Sequence, residues 1–233
     1  MLKCIVIPTY NESENIVELV KAIFSLSITD LHIVVVDDNS PDGTGRIVSE
    51  LAREYPLTVI NRKGKLGLGS AYVAGFKKAF EMKAGLIFEM DADFSHNPRD
   101  IPRLLEEISQ GNDVVIGSRR VFGGNVLGWN TRRNFQSKCA MLFARFMLGL
   151  KTKDITAGFR CFRSSVLENI GLEKITSNSY AFQEEVVYLC EKNGFKVKEI
   201  PVTFIDRQYG KSKLGVKDIL EFFWTIFRLR FKK

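Results

Sequence analysis

Histidine is scarce in this chain, with only His32 and His96 in 233 residues, and its four cysteines (Cys4, Cys139, Cys161, Cys190) stand far apart. No Cys-x-x-Cys pair and no Cys/His spacing of a zinc site occurs, so the thiols predict a reducing compartment rather than a disulfide frame. No apolar run reaches the ~18 residues of a membrane-spanning helix. Only residues 4–8 separate Lys3 from the polar Thr9, too few for the apolar segment of a secretory leader. A cytoplasmic protein is expected. Two glycine signatures are also missing. Gly-x-Gly-x-x-Gly does not follow the first predicted strand, which excludes a Rossmann dehydrogenase, and residues 63–70 lack Gly-Lys-Ser/Thr at P-loop spacing. Internal repeats and linkers are absent.

What is present reads as one globular unit with a core, 45% hydrophobic and 26% charged. The net charge of +7 is concentrated. Residues 117–163 carry ten bases against the single acid Asp154, and residues 206–233 carry eight bases against three acids. Two basic segments on an otherwise acidic body predict an anionic partner, either nucleic acid or a phosphorylated lipid or membrane surface. No nucleic-acid motif accompanies them, so nucleic acid is not expected.

Short apolar runs at residues 2–7, 32–36, 57–60, 86–90 and 113–116 predict strands, and residues 13–25, 44–55, 71–82 and 99–110 predict helices between them. This alternation predicts an α/β fold whose mostly parallel sheet is covered on both faces, with ligands at the carboxyl ends of the strands. Further on, the pattern predicts an apolar helix over 135–148 and an edge or strand segment over 158–163. A helix over 181–190 and a strand over 195–202 follow. A basic glycine-bearing loop over 204–214 is suited to closing over a charged substrate.

Several residues stand out at the predicted strand ends. Asp91-Ala92-Asp93 ends the fourth strand, where two carboxylates offer hard oxygen ligands to a divalent cation, or merely mark a solvated turn. Tyr10 can stack on a base and Glu12 can orient it or a ribose; plain helix capping by Asn11 and Ser13 is the alternative. Asp37 and Asp38 reach the same rim within a turn-forming cluster. Residues 63–70 read as flexible backbone near a nucleotide. Arg119, Arg120, Arg132 and Arg133 offer planar forks matched to phosphate. Glu184 or Glu185 can face the site. In the terminal segment, Lys217, Asp218, Glu221, Thr225, Arg228 and Lys232 fall on one arc of a helical wheel and large apolar residues fill most of the rest. That pattern suits an interfacial helix or a helix docked on the core.

Taken in order, Pro8-Thr9-Tyr10-Asn11-Glu12, Val36-Asp37-Asp38-Asn39-Ser40-Pro41-Asp42-Gly43-Thr44, Leu66-Gly67-Leu68-Gly69, Met90-Asp91-Ala92-Asp93, Gly117-Ser118-Arg119 and Asp206-Arg207 through Lys213-Leu214 resemble the inverting family 2 glycosyltransferases, in particular the branch that makes dolichyl-phosphate mannose. The resemblance covers nearly the whole chain. It implies a GT-A fold over residues 1–215, followed by an amphipathic helix over 216–233, and transfer of mannose from GDP-mannose to dolichyl or polyprenyl phosphate. A UDP-sugar donor, a soluble acceptor and a silent nucleotide-sugar-binding subunit are the alternatives.

The same resemblance implies Mg2+ or Mn2+ held by Asp91 and Asp93. Ser95 stands where some members have a glutamine ligand. Pro8, Tyr10, Glu12, Val36 and Asp38 would hold the nucleoside, and Asp91, Ala92, Asp93 and Ser95 would meet the donor. Arg207 and Lys213 would handle the donor phosphates, and Arg119, Arg132 and Arg133 the acceptor phosphate. A peripheral position on the cytosolic face of a membrane is expected, reached by the last helix or through a small anchoring subunit.

Overall fold

The computed structural model describes residues 1–178, 181–206 and 215–231, without the side chains of residues 216–218. The first half alternates strictly: β1 (Lys3–Thr9), α1 (Ile16–Phe24), β2 (Leu31–Asp37), α2 (Thr44–Leu51), β3 (Leu57–Asn61), α3 (Leu68–Glu81), β4 (Leu86–Glu89), α4 (Ile101–Ser109) and β5 (Val114–Ser118). The second half contributes β6 (Asn125–Leu127), α5 (Thr131–Leu148), β7 (Arg160–Arg163), α6 (Ser164–Ile170), α7 (Phe182–Lys192), β8 (Val197–Pro201), β9 (Thr203–Ile205) and α8 (Val216–Phe231).

Seven strands form one sheet in the order β3-β2-β1-β4-β7-β5-β8. All pairs are parallel except those of β7, which runs antiparallel between β4 and β5. The direction of strand addition reverses between β1 and β4, which opens the crevice where such sheets bind ligands. Alternating side chains divide the core. Val6, Val34, Val36, Ile87 and Phe162 face α3, α5 and α7, while Ile5, Ile7, Ile33, Val35 and Phe88 face α1, α2 and α4. Gly75 lets α3 lie directly on β1, since a Cβ there would stand 2.2 Å from Val6 Cγ1.

Three expectations change. The segment at 158–163 is not an edge: β7 is interior, and its Arg160, Cys161 and Phe162 are fully buried. The last three residues of the glycine loop are already helix, because α3 starts at Leu68. The loops around 125 and 204 instead pair as β6 and β9, a small parallel sheet at the rim. Helix α6 was not foreseen, being short and following the strand without a break.

Candidate active site

The β1 and β2 ends form one wall of the crevice, and their acids chiefly build it. Asp37 is buried, accepting from Thr9 Oγ1 at 2.9 Å and from the Ser40 backbone at 2.9 Å and hydroxyl at 2.6 Å. The loop carrying Glu12 is held from outside itself: Ser40, Thr44 and Asp42 accept from the backbones of Asn11, Glu12 and Ser13. Capping of α1 by Asn11 or Ser13 is therefore not what these residues do. Asp38, expected to meet the nucleoside, pairs with Arg62 and accepts from Leu66 N at 3.2 Å. Arg62 also binds Ser70 Oγ and the Gly67 carbonyl, so this pair shapes the glycine segment. Tyr10 stays at the rim with Lys65 4.8 Å over its ring; Pro8 is half-buried beneath it and Val36 lies in the core.

The Asp-Ala-Asp turn follows β4 at the switch point. Ala92 is buried, Asp93 nearly so, and the Asp91 side chain is 36% exposed. Asp93 Oδ1 accepts from Ser95 N at 3.1 Å. Between them Phe94 has φ 58°, a left-handed conformation that costs a bulky residue about 1–2 kcal/mol, so the turn is held against its local preference. Asp91 is packed closely on three sides. Tyr72 on α3 donates to its Oδ1 at 3.3 Å, His96 Nε2 lies 3.4 Å from Oδ2, and a Cβ at Gly158 would stand 3.3 Å from Oδ2. His96 is itself buried, stacked on Phe159 at 5.2 Å.

Among the described residues, no group of three or more His, Cys, Asp or Glu is placed to hold a metal. Two aspartates opening on a crevice, with the buried Ser95 hydroxyl unpartnered beside them, suit a hard cation that completes its shell with diphosphate and water oxygens.

Beneath this turn lies a buried polar group the sequence did not signal. Arg160 and Glu89, cross-strand partners on β7 and β4, are both fully buried, and Arg160 Nε is 3.9 Å from Glu89 Oε2. Arg160 spends its other nitrogens on the Gln183 and Ile155 carbonyls. Burial pushes Glu89 up to about 7 against the pull of Arg160, and burial pushes Glu184 on α7 up to about 8.

The second wall carries the arginines. Arg119 gives Nε and Nη2 to Asp154 at 2.8 and 2.7 Å, its backbone N–H to the same carboxylate at 2.8 Å, and Nη2 again to Thr156 at 2.7 Å. Burial alone would lower Arg119, but Asp154 outweighs it and the guanidinium is raised; burial likewise opposes, and Arg119 overcomes, in lowering Asp154. Trp129 lies between Arg119 at 5.6 Å and Arg133 at 4.2 Å, and Phe204 caps Arg119 at 5.2 Å. Arg133 also pairs with Asp206 at 2.8 Å.

Arg119 and Arg133 are thus brought together, whereas Arg132 points out from the first turn of α5. Arg120 is fixed by Asn134 and Ser137, and burial and then Arg119 lower it. With Arg119, Asn125, Asn134 and Lys138 it lines a cavity of about 240 Å3 that has no acidic side chain. Arg207 and Lys213 lie outside the described residues. Asp154 was legible in principle as the one acid in a basic segment.

An open α/β sheet with an Asp-Ala-Asp turn at its switch point and a basic wall opposite is the layout of a GT-A glycosyltransferase. The chain belongs to glycosyl transferase family 2, whose model matches residues 4–171. It is 44% identical over 219 residues to the polyprenol monophosphomannose synthase of Mycolicibacterium smegmatis, covering 93% of this chain and 82% of that protein. It is 43% identical over 211 residues to the undecaprenyl-phosphate mannosyltransferase of Micrococcus luteus, covering 90% and 86%. Among solved structures, glucosyl-3-phosphoglycerate synthase from Mycobacterium tuberculosis in complex with Mn2+, UDP-glucose and phosphoglyceric acid shares the fold. Its TM-score is 0.67 at 16% identity, over 97% of this chain and 80% of that one.

Proposed function

We propose that this chain transfers mannose from GDP-mannose to a dolichyl or other polyprenyl phosphate, with inversion, at a membrane surface. The observation that carries the reading is the pairing of the Asp91/Asp93 turn with the Arg119–Trp129–Arg133 wall across one crevice, beside two helices that turn large apolar side chains outward. The two mannosyl-transferring relatives support the same acceptor class.

The outward side is unusual. In α8, Thr225 is 2% exposed while its neighbour Trp224 is 69% exposed, with Leu220, Phe227 and Phe231 beside it. Phe143 of α5 packs on Phe223 and Phe227, joining the two helices, and Phe135, Leu142 and Phe146 of α5 are exposed as well. The helix docks on the protein through Thr225 and the buried Ile226 and Leu229, with Glu221 and Arg228 beside them, and its opposite apolar side is exposed. No helix among the described residues is long and apolar enough to cross a membrane. A continuous apolar plate with basic residues near it suits the interface of an anionic bilayer, or a small anchoring subunit.

The chemistry asks little of the protein by way of proton transfer. A phosphate monoester has a second pKa near ~6, so the acceptor arrives largely as a dianion and needs no general base. This agrees with a site whose only histidine is buried against Phe159 and whose Glu89 and Glu184 are pushed toward the neutral form. Asp91 and Asp93, with Ser95 beside them, would hold Mg2+ or Mn2+, which supplies charge neutralisation to the departing diphosphate. Tyr10 stacks the base. Arg119 and Arg133, aimed by Asp154 and Asp206, draw the acceptor phosphate toward the sugar and offset its repulsion from the donor.

Calorimetric titration with GDP-mannose and UDP-glucose, each with Mn2+ and with EDTA, tests the donor. Metal-dependent binding of GDP-mannose alone is expected. Preference for UDP-glucose would move the reading to a polyprenyl-phosphate glucosyltransferase, and binding of neither would favour a silent subunit.

A further inference from the structure

The polar arc of α8 is applied to a short stretch of chain that reaches the donor rim. Asn178 N donates to Glu221 Oε1 at 3.0 Å, and the Thr225 and Ser177 hydroxyls are 3.2 Å apart. Arg228 Nη2 reaches Glu185 Oε1 at 2.9 Å and Ser177 Oγ at 3.3 Å. Glu185, buried at the start of α7, accepts in turn from the backbone N–H groups of Thr176 at 3.2 Å and Ser177 at 2.9 Å. Residues 176–178 are therefore gripped from α7 on one side and α8 on another.

Their remaining side carries the glycine segment. Gly69 N donates to the Asn178 carbonyl at 2.9 Å. There is no slack in this seat: a Cβ at Gly67 would stand 2.4 Å from Asn178 O, and one at Gly69 2.6 Å from Ser177 O. Gly67 also has φ +102°, which favours glycine on backbone grounds alone. The same segment supplies Leu66 N to Asp38, the Gly67 carbonyl to Arg62, and Lys65 to the ring of Tyr10. Direct contacts thus run from α8 through residues 177–178 to the glycines and on to Asp38 and Tyr10.

We propose that Glu221, Thr225 and Arg228 are positioning residues for the nucleotide. They hold residues 177–178 in place, and these seat the glycine segment that forms the donor rim. The inference rests on the reading of that rim as the nucleotide site. It gives the terminal helix a second task. One side carries the apolar plate and the other sets the donor pocket, so whatever covers the plate stabilises the helix that holds the nucleotide site in its binding geometry.

The test uses the whole chain without lipid. Binding of GDP with Mn2+ is measured by calorimetry for Glu221→Ala, Arg228→Ala and the exposed control Arg230→Ala, alongside hydrogen exchange at the Gly69 and Asn178 amides. Glu221→Ala and Arg228→Ala are expected to weaken GDP binding by about fivefold to tenfold, the scale of a lost hydrogen bond. Exchange at both amides should quicken while the β1 and β2 amides stay protected. Arg230→Ala should match the parent, and Glu221→Gln, which keeps an acceptor oxygen, should recover most of the loss. Arg228→Ala strands the buried Glu185; if it fails to fold, Glu221→Ala decides. Unchanged GDP affinity together with unchanged exchange in Glu221→Ala would overturn the proposal. Exchange needs no nucleotide, so it judges the seat even where a parent protein that binds no GDP would contradict the donor reading.

Discussion

Asp154 holds Arg119 through three hydrogen bonds of 2.7 to 2.8 Å, two from the guanidinium and one from the Arg119 backbone. Asp154 is fully buried and the Arg119 side chain is 8% exposed, so each charge depends on the other. This pair fixes how the basic wall meets the crevice.

Asp154→Ala leaves Arg119 buried without its partner, a change that costs about 3–5 kcal/mol. Thermal melting should show a large fall, and Asp154→Asn, which keeps neutral hydrogen bonds, a smaller one. Because Arg119 lowers the Asp154 carboxyl, its contribution is present above the ordinary aspartate range and lost as pH falls through the lowered folded value. The stability difference between wild type and Asp154→Asn should shrink at low pH.

Asp93→Ala should reduce transfer by about 100-fold or more, the several kcal/mol that a metal contributes to a developing charge. Circular dichroism and melting should stay near those of the parent. Full activity of this variant would refute the metal assignment.

Trp224→Ser and Leu220→Ser alter only the outer face of α8. Each should weaken co-sedimentation with anionic liposomes by about tenfold or more, from the 1.5–3 kcal/mol of a buried large apolar side chain. Melting should change little. Unaltered liposome binding would instead favour a protein partner on this plate.

Glu184 contributes with the opposite sign to Asp154. Burial raises it to about 8, so between the ordinary glutamate value and that pH the folded state binds the extra proton, and stability falls as pH rises across this window. Glu184→Gln removes the term. Its melting temperature relative to wild type should climb between about pH 5 and 8.

The sheet was readable because β1, β2 and β4 are short, buried on both faces and each ends in turn-forming residues. The Asp-Ala-Asp turn was readable for the same reason, as carboxylates where a buried strand meets the rim. That β7 is a strand was readable, but its interior place was not, because it rests on Arg160 being buried against backbone carbonyls and Glu89. The inward side of α8 could not be read from a helical wheel. A wheel separates polar from apolar, but here the protein supplies Glu185, Ser177 and the Asn178 amide to meet Arg228, Thr225 and Glu221, so polar residues share the inward side with Ile226 and Leu229 while Leu220, Trp224 and Phe231 face out. For Asp38, likewise, nothing in the sequence pointed to its partner Arg62, 24 residues away, whose Nε donates to it.

The central claim is tested most directly by turnover: purified protein, Mn2+, GDP-[14C]mannose and a short polyprenyl phosphate in detergent, with the lipid product isolated and its anomeric configuration determined. The account predicts a metal-dependent polyprenyl-phosphate β-mannose, abolished by Asp93→Ala. A protein that binds GDP-mannose yet transfers nothing to the lipid phosphate, or that yields the retained anomer, would contradict it.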